Sequence, residues 1–112
     1  MDEYIEKFIA YLTHERNFSE HTIRNYHSDL RQFRDFLLKL KLCVDEQSEA
    51  PYVDMQRIDR LAVQSFLGHL YSQGKEKSSI ARKLATLKSF FNFLWKKSYI
   101  AINPVRSIPL PK

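Results

Sequence analysis

SEHTIRNYHSDLRQFRDFLLKL, residues 19–40, is the stretch whose reading decides the fold. Its apolar residues Ile23, Tyr26, Leu30, Phe33, Leu37 and Leu40 follow one another at alternating steps of three and four, which lines one face of an α-helix. Ser19 stands just before the run and is a strong N-cap residue, because its hydroxyl can accept a hydrogen bond from an unpaired first-turn amide. Working outward, Tyr4, Ile5, Phe8, Ile9 and Leu12 share a face, and Asp2, Glu3 and Glu6 complement the dipole of a first helix ending near Arg16. Asp59 can cap a third helix with Val63, Phe66, Leu67 and Leu70 on its apolar side, and Gly74 is placed to close it in the left-handed conformation. A fourth helix begins between Glu76 and Ser79, turns Ile80, Leu84, Leu87, Phe90, Phe91, Leu94 and Trp95 inward, and ends at Lys96 and Lys97.

Between the second and third helices, residues 42–58 lose this period and gather Asp45, Glu46, Glu49, Pro51 and Asp54, which predicts an acidic surface connection. No strand candidate and no internal repeat is evident. Asn103-Pro104 stops helical structure, and residues 105–112, with Pro109 and Pro111, read as an extended linker. The expectation is an all-α, four-helix bundle over residues 1–104, followed by the start of a linker at 105–112.

A chain of 112 residues is one domain's worth and can bury a core without metal or disulfide support. Cys43 is the only cysteine, no apolar run follows a basic start, and charges interrupt every hydrophobic stretch. These features argue against secretion and membrane insertion and lead to an expected cytoplasmic location. The net charge of +5 is unevenly placed: residues 75–112 hold nine basic residues and one acid, Glu76 (net +8), whereas residues 1–74 hold nine basic and twelve acidic (net −3). A positive field confined to one part of the chain suits contact with phosphates.

Two polar helix faces stand out. On the second helix His21, Thr22, Arg24, Asn25, Ser28, Arg31 and Gln32 lie away from the Tyr26/Leu30/Phe33 stripe, and on the fourth Ser79, Arg82, Lys83, Thr86, Lys88 and Ser89 do the same. Such side chains match duplex DNA: arginine can bond guanine in a bidentate way, asparagine can do so with adenine, and hydroxyls and helix N-termini hold phosphates. Metal and nucleotide chemistry lack support in the spacing. His14, His21, His27 and His69 have no helical metal pattern, Cys43 has no cysteine partner, and Gly68 and Gly74 make no phosphate loop. Tyr26, Tyr52, Tyr71 and Tyr99 have no arginine–histidine constellation nearby in sequence and read as structural.

These residues also carry a family resemblance. Phe18-Ser19-Glu20-His21-Thr22-Ile23 with Tyr26, Leu30 and Phe33, then Phe66-Leu67 and Leu70 before Gly74, resemble the N-terminal core-binding domain of tyrosine recombinases. Ser79-Ile80-Ala81-Arg82-Lys83-Leu84, Leu87-Lys88-Ser89-Phe90-Phe91, Leu94, Asn103-Pro104 and Pro111-Lys112 extend the match over nearly the whole chain, nearest to the bacterial Xer type. Glu76 and Lys77 depart from the cap-and-proline start common before the fourth helix, and the 42–58 connection is longer than in many relatives.

The resemblance implies a SAM-like orthogonal four-helix domain forming half of a clamp around double-stranded DNA, in a parent that cuts and rejoins strands through a 3′-phosphotyrosine. It places His21, Thr22, Arg24, Asn25 and Ser28, and Ser79, Arg82, Lys83, Thr86 and Lys88, against DNA. It implies no metal or cofactor, no catalytic residue in this chain, sister subunits in a DNA-bound tetramer, and a monomer for this domain alone. Tyr4, Lys7 and Tyr11 would meet neighbouring subunits. Two other readings compete: a helical protein-interaction domain without DNA binding, and a stand-alone DNA-binding regulator, which lacks a recognisable helix-turn-helix signal.

Overall fold

The structure, a computed structural model, describes residues 1–109. Leu110, Pro111 and Lys112, the end of the expected linker, lie outside the described residues. Four helices account for most of the chain: α1 (Asp2–His14), α2 (Glu20–Lys39), α3 (Arg60–Ser72) and α4 (Lys77–Lys96). The start signals act as read. Ser19 Oγ accepts from the Thr22 amide at 3.2 Å, and Asp59 Oδ1 accepts from the Ala62 amide at 2.9 Å. Each such cap is worth about 1 kcal/mol. Gly74 has φ +74°, and behind it the Lys75 amide bonds the Leu70 carbonyl at 3.1 Å, the six-to-one bond of a Schellman closure.

α2 and α4 each pack against the other three helices. Their stripes supply the most completely buried side chains, among them Leu30, Phe33 and Leu37 from α2 and Ile80, Leu84, Phe90, Phe91 and Leu94 from α4. Phe8 joins α1 to this centre edge-on to Phe90, with ring centroids 5.5 Å apart, and Phe66 joins α3 edge-on to Phe33 at 5.2 Å. Truncating such a ring to alanine typically costs about 3–5 kcal/mol. No helix among the described residues is long and apolar enough to cross a membrane.

Three expectations need correction. The 42–58 connection is not wholly irregular: β1 (Val44–Asp45) and β2 (Tyr52–Val53) pair antiparallel, with Val44 opposite Val53, and a 3₁₀ turn covers Met55–Arg57. Val44, Val53, Met55 and Ile58 are buried, so this segment covers the C-terminal part of α2 rather than floating over it. Trp95 is 43 % exposed, and the inward position belongs to Phe93, which packs on Phe8 and Tyr11. Residues 105–108 do not leave as an extended strand. A turn anchored by the Val105 amide on Asn103 Oδ1 at 3.1 Å returns Val105 and Ile108 to the core, so packed structure continues past residue 104.

Candidate nucleic-acid interface

α2 and α4 meet at one carboxylate. Asp29 Oδ1 accepts from Arg82 Nη2 at 2.9 Å and from Lys83 Nζ at 3.1 Å, while Oδ2 accepts from the Thr86 hydroxyl at 2.9 Å. Asp29, Lys83 and Thr86 are buried, whereas the Arg82 side chain is half exposed. Buried charge is tolerated only when paired and fully hydrogen-bonded, and here both carboxylate oxygens have partners. Formal charges of −1 and +2 leave the cluster at +1. That excess can reach the surface only through Arg82, since Lys83 is enclosed.

Lys83 and Thr86 are therefore not on the outward face. Lys83 stands three residues after Ile80 and four before Leu87, and Thr86 four before Phe90, so both belong geometrically to the inward stripe of α4. What makes them tolerable inside is Asp29, which sequence reasoning missed. A signal was present: Asp29 lies three residues after Tyr26 and four before Phe33, an acid on an apolar stripe that requires a cation opposite.

The remaining residues of the two faces are accessible. His21, Arg24 and Arg82 are exposed, and Thr22, Asn25, Ser28, Ser79 and Lys88 are half-buried. Arg24 makes only a loose 3.7 Å pair with Glu20, both side chains well exposed, which holds neither in place. Thr22 is fixed through the cap, its hydroxyl accepting from Ser19 Oγ at 2.9 Å. Asp29 clamps α2 to the first half of α4, and the half-exposed Arg82 side chain stands where the two helices meet.

Tyr4, Lys7 and Tyr11 are engaged within the fold. Tyr4 packs on Tyr99 at 5.4 Å, Lys7 Nζ sits 5.6 Å from the Tyr99 ring, and Tyr11 packs on Phe93 at 4.9 Å. Neither Tyr52 nor Cys43 has an activated nucleophile. A hydrogen bond to the Asp45 carboxylate raises the Tyr52 hydroxyl above the ordinary tyrosine value, and burial raises the Cys43 thiol.

Comparison with known proteins agrees with this architecture. Residues 5–98 match the phage integrase N-terminal SAM-like domain. The whole chain is 41 % identical over 113 residues to tyrosine recombinase XerC of Syntrophus aciditrophicus, of which it covers 35 %. Over 111 residues it is 37 % identical to XerC of Halalkalibacterium halodurans, covering 99 % of this chain and 33 % of the relative. It is 32 % identical over 112 residues to XerD of Staphylococcus epidermidis, covering all of this chain and 35 % of that one. It thus spans about a third of the length of these relatives. Among solved structures, a lambda integrase(75-356) dimer bound to a COC′ core site superposes over the whole chain and 34 % of its own, with TM-score 0.75 and 18 % identity, a likeness of fold. With that fold and a family match covering most of its residues, the chain belongs to the phage integrase N-terminal SAM-like domain family.

Proposed function

We propose that the chain binds double-stranded DNA through the adjoining faces of α2 and α4, as the N-terminal clamp half of a tyrosine-type site-specific recombinase. His21, Thr22, Arg24, Asn25 and Ser28 contact DNA from α2, and Ser79, Arg82 and Lys88 from α4. Lys83 and Thr86 support that surface from below through Asp29. The observation that carries this reading is the Asp29 junction. It joins the helices that carry the two polar faces and leaves a half-exposed guanidinium at the seam, which supports reading the faces together. Arginine and asparagine there supply base-edge recognition, while hydroxyls and lysine hold the backbone in register.

In the longer protein, strand cutting and rejoining through a 3′-phosphotyrosine is the work of a following catalytic domain. The process served is chromosome dimer resolution or integration of a mobile element, carried out in the cytoplasm by a DNA-bound tetramer of sister subunits. Alone the domain is a monomer, and half a clamp binds weakly because it lacks the effective concentration conferred by the tethered second half.

Fluorescence anisotropy of a labelled duplex titrated with the domain at several salt concentrations tests this. Dissociation constants on the order of micromolar or weaker near physiological salt, tightening steeply as salt falls, are expected. Absent or salt-insensitive binding would overturn the DNA reading in favour of protein interaction.

A further inference from the structure

A cleft of about 230 Å³ opens where the C-terminal ends of α1 and α4 meet the start of α2. Arg16, Lys96 and Lys97 border it, Phe18 and Tyr26 form its aromatic wall, and no carboxylate lines it. Among the described residues none of the three cations lies within ion-pair distance of an acid, in contrast to Arg34, Arg57 and Lys83. The Arg16 guanidinium sits 5.1 Å from the centre of the Phe18 ring, and Phe18 in turn stacks on Tyr26 at 6.0 Å and 30°. Rings thus hold this guanidinium in place without neutralising it. Three cations without an acid partner around a low-dielectric wall focus a positive field into the cleft.

We propose that this cleft is a phosphate-binding position for the backbone of the same duplex, flanking the α2–α4 face. The inference rests on the DNA-binding reading and adds contacts to it. Continuity of surface selects the duplex as occupant. The cleft residue Ser89 lies seven positions after Arg82 and therefore on the same side of α4. From Arg82 to Lys96 is about 21 Å along the helix at 1.5 Å per residue, a distance spanned by about six base pairs. A duplex seated on Arg82 and Asn25 has backbone to spare at that range.

The test compares Arg16→Ala, the double variant Lys96→Ala/Lys97→Ala, and Arg82→Ala with the unaltered domain, by anisotropy on one duplex across a salt series. Far-UV circular dichroism monitors folding of each. Arg16→Ala and the double variant are expected to weaken binding about three- to tenfold at low salt and to lower the salt slope by about one and about two. Arg16→Lys, which keeps the charge but loses the planar stacking group, retains the slope and so separates charge from packing. If Arg82→Ala weakens binding while the cleft variants bind like the unaltered domain, the cleft proposal falls and the DNA face stands. If the unaltered domain binds no duplex, both fall. Cleft variants that change sedimentation of the free domain but not its DNA binding would identify a protein contact and overturn the proposal.

Discussion

Lys83 Nζ donates to Asp29 Oδ1 across 3.1 Å, with both side chains almost sealed from water, at 7 % and 3 % exposure. An ion pair in this position joins the middle of α2 to the first half of α4, the two elements that touch every other helix. Removing one member strands the other in the interior, which is more costly than the pair itself is stabilising.

Asp29→Asn should therefore destabilise the domain by about 3 kcal/mol or more, read as a lowered urea midpoint. Arg82 can turn to solvent and Thr86 can bond the Arg82 carbonyl at 3.2 Å, but Lys83 is left as a buried, unpaired cation. The double variant Asp29→Leu/Lys83→Met should cost less than Asp29→Leu alone. An Asp29→Asn protein as stable as the parent would contradict this assignment.

Burial also separates Lys83 from Arg82 in function. Arg82→Ala should reduce the slope of log affinity against log salt by about one, whereas the double variant Asp29→Leu/Lys83→Met, which keeps the +1 on Arg82, should leave the slope unchanged and alter only stability. Equal slope losses from the two would place Lys83 on the DNA surface and contradict its enclosure.

The helices were legible in the sequence because their signals are local. Ser19, Asp59 and Gly74 act through hydrogen bonds or dihedrals within a few residues, and the stripes of α2 and α4 repeat often enough to fix a face. The interior polar cluster was not legible from apolar periodicity, since that test assigns every lysine and threonine outward. Only the coincidence of Asp29 on one stripe with Lys83 on another reveals it. The Val44–Val53 pairing is too short for an alternation signal, and Val105 and Ile108 return to the core through a turn that Pro104 and Pro109 disguise as linker. At the interface, residue types pointed to the two faces, but which members stand at the surface depended on that cluster.

Helix endings offer another check. Lys41 and Ser98 occupy left-handed backbone at φ +56° and +62°, closing α2 and α4 in the manner of Gly74, with Leu42 and Tyr99 amides bonded to the Leu37 and Leu94 carbonyls at 2.9 Å. A side chain in this region is strained, so Lys41→Gly and Ser98→Gly should each stabilise the fold by about 0.5–1 kcal/mol, after allowing for the greater freedom of glycine in the unfolded chain. Gly74→Ala should destabilise by about 1 kcal/mol. Thermal unfolding of the three variants measures the signs directly.

The small hairpin predicts a pH effect. Asp45 Oδ1 accepts from the Gln47 amide at 2.9 Å and Oδ2 from the Tyr52 hydroxyl at 3.1 Å, and these bonds, the amide first, hold its carboxyl below the ordinary value of 3.8. A depressed folded-state value means that the contribution is complete above about 3.8 and is lost as pH falls through the lower folded value. Tyr52→Phe should move the Asp45 carboxyl part of the way back up, because the Gln47 bond remains. Carbon-detected NMR titration of the Asp45 carboxyl follows the change, and an unmoved titration would show that the tyrosine bond does not form.

The most direct test of the DNA face is an NMR titration of the isotopically labelled domain with a short duplex, first at low and then at moderate salt. Shifts concentrated in residues 19–28 and 78–88 that fade as salt rises are the predicted result. Shifts that are absent, or that fall mainly on α1 and α3, would contradict it.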